Sequence, residues 1–114
     1  MRLSATRQFS ATVVVNMPWA EGQPAAEPLT FVGHFRALTT DDFQQHDMAS
    51  IEGQSAYLRQ VFLGWEGVID DTDGEDKPLK FSAEARDVLI RDFFVRQALL
   101  GTYAQALGGA KRGN

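Results

Sequence analysis

A chain of 114 residues, 44% of them hydrophobic and 23% charged, has enough apolar material for one modest core. Cysteine is absent, which excludes disulfides and thiolate metal sites and fits a reducing compartment. The formal net charge of −4 argues against a binder of phosphate backbones, no apolar run reaches the ~18 residues of a membrane-spanning helix, and no apolar h-region follows Arg2 as a secretory signal requires.

Residues 9–16, FSATVVVN, alternate, with Phe9, Ala11, Val13 and Val15 on one side and polar residues plus Val14 on the other. This β-branched, period-two pattern predicts a strand. Residues 17–28 carry three prolines and a glycine and predict a loop. A second strand is predicted over 29–38, with Phe31, Gly33 and Phe35 on one face and His34 and Arg36 on the other. The two strands are expected to pair as an antiparallel hairpin over 9–38, which needs helices on its apolar face to be stable.

Thr39 or Thr40 is placed to cap a short helix ending near Ala49, with Asp41 and Asp42 in its first turn. A second helix is expected to begin between Glu52 and Ser55. In it Leu58, Val61, Phe62, Trp65, Val68 and Ile69 recur at helical spacing, so the helix should run to about Trp65, although Gly64 and Gly67 weaken it. Ser82 is placed to cap a third helix bearing Val88, Leu89 and Ile90. A boundary at Arg91-Asp92 precedes a last helix to Leu107, with Phe94, Val95, Ala98, Leu99, Thr102, Tyr103 and Ala106 on one stripe. Gly108-Gly109 should stop it and leave 108–114 as a flexible tail. The expected architecture is one α+β domain: an N-terminal antiparallel β-hairpin packed against three or four α-helices over 39–107. Its core should include Phe31, Phe35, Phe62, Trp65, Phe81, Leu99 and Tyr103.

The sequence shows no catalytic constellation. The acidic turn DDTDGED fails the EF-hand register, because taking Gly74 as the loop glycine puts Ile69 and Lys80 at the first and last ligand positions. His34 and His46, the two histidines, have no spacing that brings them to a carboxylate as a metal site or general base requires. No serine sits in a nucleophile elbow, and no Lys-Ser or Lys-Thr follows a glycine loop. Apolar residues in unexpected places point instead to protein partners. Met17 and Trp19 fall in the proline-rich loop, where Trp19 either folds back over the sheet or anchors a partner. Phe93 lies off the main stripe of the last helix, as a second core contact or part of an interface.

The order Gly64-Trp65, Gly67-Val68, Asp70, Asp73-Gly74, Pro78-Leu79 and Phe81-Ser82 resembles the central signature of small phage tail assembly chaperones. Phe31-x-Gly-x-Phe35 before an acidic helix start, and a last helix with Tyr103 and Ala106 ahead of a Gly-Asn tail, agree with it; the resemblance covers about residues 29–114. It implies a non-catalytic protein of the bacterial host cytoplasm that holds the tape measure protein and assists assembly of the tail tube. Tape measure protein, tail tube protein and further copies of the chain would be its partners, with no cofactor, nucleic acid or membrane. It also implies a −1 frameshift in the gene, for which Arg112-Gly113-Asn114 is codon-compatible with a slippery heptamer. Two readings from other classes stand beside it: a structural virion component such as a tail completion or neck protein, and a small-ligand domain or enzyme built around His34 or His46.

Overall fold

The computed structural model describes residues 7–16, 29–38 and 40–111. The proline-rich loop with Met17 and Trp19, the Thr39 cap and the Arg112-Gly113-Asn114 end lie outside the described residues. The architecture is α+β. Strands β1 (Arg7–Val15) and β2 (Leu29–Ala37) pair antiparallel without interruption from Arg7↔Ala37 to Val15↔Leu29. Helices α1 (Thr40–Gln44) and α2 (Ile51–Val61) follow, then β3 (Phe62–Glu66), which pairs antiparallel with β2. A ribbon of β4 (Ile69–Asp70) and β5 (Lys77–Pro78) leads to α3 (Ala83–Arg91) and α4 (Phe93–Lys111). The main sheet has the order β1-β2-β3.

β3 corrects the expected helix through Trp65. The α-helix stops at Val61, where the Phe62 N–H donates to the Leu58 carbonyl and the backbone turns extended. The apolar spacing that reads as a helical stripe is carried into the strand by a bulge. Gly33 faces Trp65 and His34 faces Gly64, but Phe35 faces Phe62, so Leu63 is the inserted residue. A regular strand would send Phe62 and Trp65, three apart, to opposite faces; one extra residue returns both to the face of Phe31 and Phe35. Both are buried there, Phe62 completely.

The sheet's inner face and the helices enclose a largely aromatic core. Rings step across the strands from Phe9 to Phe35 (5.4 Å between centroids), Phe35 to Phe62 (5.7 Å) and Phe62 to Trp65 (5.5 Å). α4 lies chiefly over β1, and α2 packs against α3, α4 and the sheet. Val13, Val15, Phe31, Tyr57, Leu58, Val61, Ile90, Leu99 and Tyr103 complete the buried cluster. The α4 stripe faces inward as the spacing predicts, with Leu99 and Tyr103 buried. In α3, Ile90 is buried while Val88 is exposed.

Local signals set the helix starts. Ser50 and Ser82 accept the N–H groups of Gly53 (2.9 Å) and Ala85 (3.0 Å) as N-caps. Asp92 Oδ1 accepts from the Phe94 and Val95 N–H groups, separating α3 from α4. α1 is shorter than expected, because the chain turns at 45–50 before α2 begins. The expected stop at Gly108-Gly109 is corrected too: α4 continues through both glycines to Lys111. A glycine inside a helix costs about 1 kcal/mol relative to alanine and does not by itself end one.

Tyr103 ties α4 to the end of β2. Its hydroxyl donates to the Arg36 carbonyl at 2.7 Å and accepts the Leu38 N–H at 3.0 Å. Tyr57 meets the Tyr103 ring edge-on at 5.5 Å. Burial, then a hydrogen bond to Tyr103 and its charge, push the Tyr57 hydroxyl well above the usual tyrosine range. Tyr103→Phe keeps the ring and strands two backbone groups, so it is expected to destabilise the fold by about 1–3 kcal/mol in denaturant unfolding. An unchanged midpoint would show that this tether contributes nothing.

Candidate functional site

The signature stretch folds into one projecting substructure. Gly67 has φ +93°, a left-handed turn open to glycine, where the chain leaves β3 for the ribbon. Ile69 then pairs with Pro78 and Asp70 with Lys77. Gly74, φ +89°, closes the tip, and its N–H donates to the Asp71 carbonyl at 3.0 Å. Asp70 Oδ1 accepts from the Thr72 N–H (3.0 Å) and hydroxyl (2.6 Å); Asp73 accepts from the Glu75 N–H and pairs with Lys77. At the root, Trp65 Nε1–H donates to the Leu79 carbonyl at 2.9 Å, and the Leu79 N–H donates to the Val68 carbonyl at 2.8 Å.

These bonds hold the Asp70 carboxyl below the usual carboxylate range, chiefly through the Thr72 hydroxyl, and the Asp73 carboxyl likewise, chiefly through Lys77. A depressed carboxylate favours the folded ribbon above its ordinary pKa, and that contribution is lost as pH falls through the depressed value. Asp71, Glu75 and Asp76 stand in solvent beside them. Among the described residues no group of three or more His, Asp or Glu side chains is arranged to hold a metal ion.

Two apolar residues of this stretch are outside the core. Ile69 is 57% exposed. Phe81, expected in the core, is 53% exposed. It follows the ribbon and precedes the Ser82 cap, so its ring lies on Trp65 at 5.4 Å between centroids, with the Arg86 guanidinium 5.9 Å from its own centroid. Phe81 is therefore a lid on the core's edge. Phe93 is 57% exposed as well, edge-on to Phe94 and 5.7 Å from the Arg96 guanidinium. That exposure places Phe93 outside the buried core. Arg96 itself is buried and donates to the carbonyls of Ile90 and Arg91, closing the C-terminal end of α3.

The outer face of the sheet brings together a group that spacing does not reveal. Ser10 Oγ lies 2.7 Å from His34 Nδ1, and His34 Nε2 lies 3.9 Å from Glu66 Oε2. The pairing of three strands makes this neighbourhood, with Ser10 opposite His34 across β1–β2 and Glu66 reached through β3. The imidazole lies beside Gly64, where an added Cβ would make only ordinary contact with it at 3.8 Å. A hydroxyl, an imidazole and a carboxylate in line could pass a proton, but nucleophilic catalysis also needs donors aimed at a developing oxyanion. Here the group lies on an open sheet face, with the Glu66 side chain 74% exposed. It acts as a cross-strand polar contact. His46 is held elsewhere, its Nε2 2.7 Å from Gln60 Oε1 and its ring edge-on to Tyr57.

Among the described residues no helix is long and apolar enough to cross a membrane. Comparison of the chain with protein-family models, curated proteins and solved structures returned no match.

Proposed function

We propose that this chain is a non-catalytic assembly chaperone of the tailed-phage kind, which holds the tape measure protein while the tail tube forms around it. The observation that carries the reading is the signature stretch, 64–82. Its residues resemble that family, and they build one ribbon rooted in the core: turn glycines at 67 and 74, the buried Trp65 anchor, the exposed acidic tip and the Ser82 cap. Such a protein must offer apolar surface to a client and stay soluble while doing so. Ile69, Phe81 and Phe93 supply the first, and the carboxylates of 70–76 the second.

The test is co-expression with the tape measure protein of the same genome. The expected result is a complex that co-purifies and a clear rise in soluble tape measure protein. No complex, with no change in solubility, would count decisively against the reading. Presence of the chain in mature particles would favour a tail completion or neck component in its place, because a chaperone leaves the finished tail.

A further inference from the structure

We propose that the outward face of the β4–β5 ribbon is the docking surface for a basic amphipathic helix. The apolar stripe of that helix covers Ile69 and Pro78, and its lysines or arginines meet the carboxylates of the exposed tip, Asp71, Glu75 and Asp76. The inference deepens the client-holding reading and rests on it for the client's identity; the surface chemistry stands on the geometry alone.

Charge complementarity decides the occupant. Asp70, Asp71, Asp73, Glu75 and Asp76 face only Lys77 and Lys80 in this stretch, and Lys77 is committed to Asp73. An acidic partner or a phosphate backbone would be repelled, whereas a basic one gains from every exposed carboxylate. Ile69 and Pro78 are cross-strand partners, so their side chains share one ribbon face, and both are exposed. Each strand is two residues long, too short an edge for strand addition. Affinity must therefore come from side chains, the mode in which an amphipathic helix lays its apolar face on a partner. The ribbon is already fixed by the Asp70–Thr72 and Asp73–Lys77 bonds and by Trp65 at its root, so docking orders little of this chain.

The probe is a synthetic peptide of about 18 residues in which leucines line one face of a helix and lysines the other; its control carries glutamate at every lysine. The full chain is expected to bind the lysine peptide, with affinity falling as salt rises, and not the glutamate peptide. Ile69→Ser should weaken binding about tenfold or more. The triple variant Asp71→Asn, Glu75→Gln, Asp76→Asn should weaken it as well and flatten its salt dependence. All three carboxylates and Ile69 are exposed, so circular dichroism and the thermal midpoint should stay at wild-type values. Equal binding by wild type and ribbon variants would overturn the proposal. So would equal binding of the two peptides, or a loss confined to Phe93→Ser, which would place the surface at the start of α4. If the wild type binds the lysine peptide but fails to keep tape measure protein soluble, the functional reading falls and the docking surface stands. If the ribbon variants hold tape measure protein as well as wild type does, the docking surface falls and the functional reading stands.

Discussion

Replacing Trp65 with alanine is expected to cost about 3–5 kcal/mol of stability, a large share of what holds a domain of this size together. Trp65 is 9% exposed, meets the Phe62 ring at a tilt of 33°, and sits opposite Gly33 on the inner face of β2. Its indole N–H also holds the ribbon root through the Leu79 carbonyl. Alanine would remove the packing and the tether together. Trp65→Phe separates them: most of the ring contact remains, the Leu79 carbonyl loses its donor, and the loss should be about 1 kcal/mol. Phe81→Ala, on the exposed side of the same indole, should also cost about 1 kcal/mol, the value of an aromatic pair without full burial. Urea unfolding of the three variants, with midpoints compared at constant slope, measures this order. A Trp65→Ala protein with near-wild-type stability would refute the central placement of the indole.

Gly53→Ala is the second large effect, and its sign is opposite to what helix propensity implies. Gly53 lies in the first turn of α2, where alanine would ordinarily gain about 1 kcal/mol. A Cβ added there comes within 1.8 Å of the Asp47 carbonyl oxygen and 2.5 Å of its carbonyl carbon. Those are backbone atoms, held by the Ser50 N–H and hydroxyl that both donate to that oxygen, so no side-chain rotation relieves the clash. The turn at 47–50 must move, and the Ser50 cap with it. Net destabilisation of roughly 3 kcal/mol is expected, at the upper end for overpacking. Gly101→Ala is the control, because a Cβ at Gly101 in α4 meets nothing within 4 Å, and it should be neutral or stabilising. Thermal melts of the two variants decide the matter. A Gly53→Ala protein as stable as wild type would mean that the turn yields without cost.

The candidate surface is only partly legible in the sequence. Phe93 stands out there because it falls off the apolar stripe of its helix, and it is exposed. Phe81 reads as a core residue in the sequence; the ribbon instead carries it to the outside of Trp65. Ile69 reads as part of one apolar block with Val68. The chain turns out of β3 at Gly67, and Val68 packs against the core while Ile69, the first residue of β4, faces out. The Ser10–His34–Glu66 group has no sequence signal at Glu66, because the apolar spacing around it suits a helix rather than a strand.

By itself the sequence determined the features governed by near neighbours along the chain. The alternation of β1 and β2, the Ser82 cap of α3, the Asp92 break and the inward stripe of α4 all follow from such local rules, and with them the α+β class. Only the tertiary structure decided residues 62–66. Their apolar spacing of three suits a helix, and it suits a bulged strand equally well once β2 offers an edge to pair with. Which of the two forms depends on β2, some thirty residues earlier in the chain, whose free N–H and C=O groups must be satisfied on the side away from β1. No window along the sequence contains that partner, so the third strand, the ribbon that hangs from it and the exposure of Ile69 and Phe81 became visible only in three dimensions.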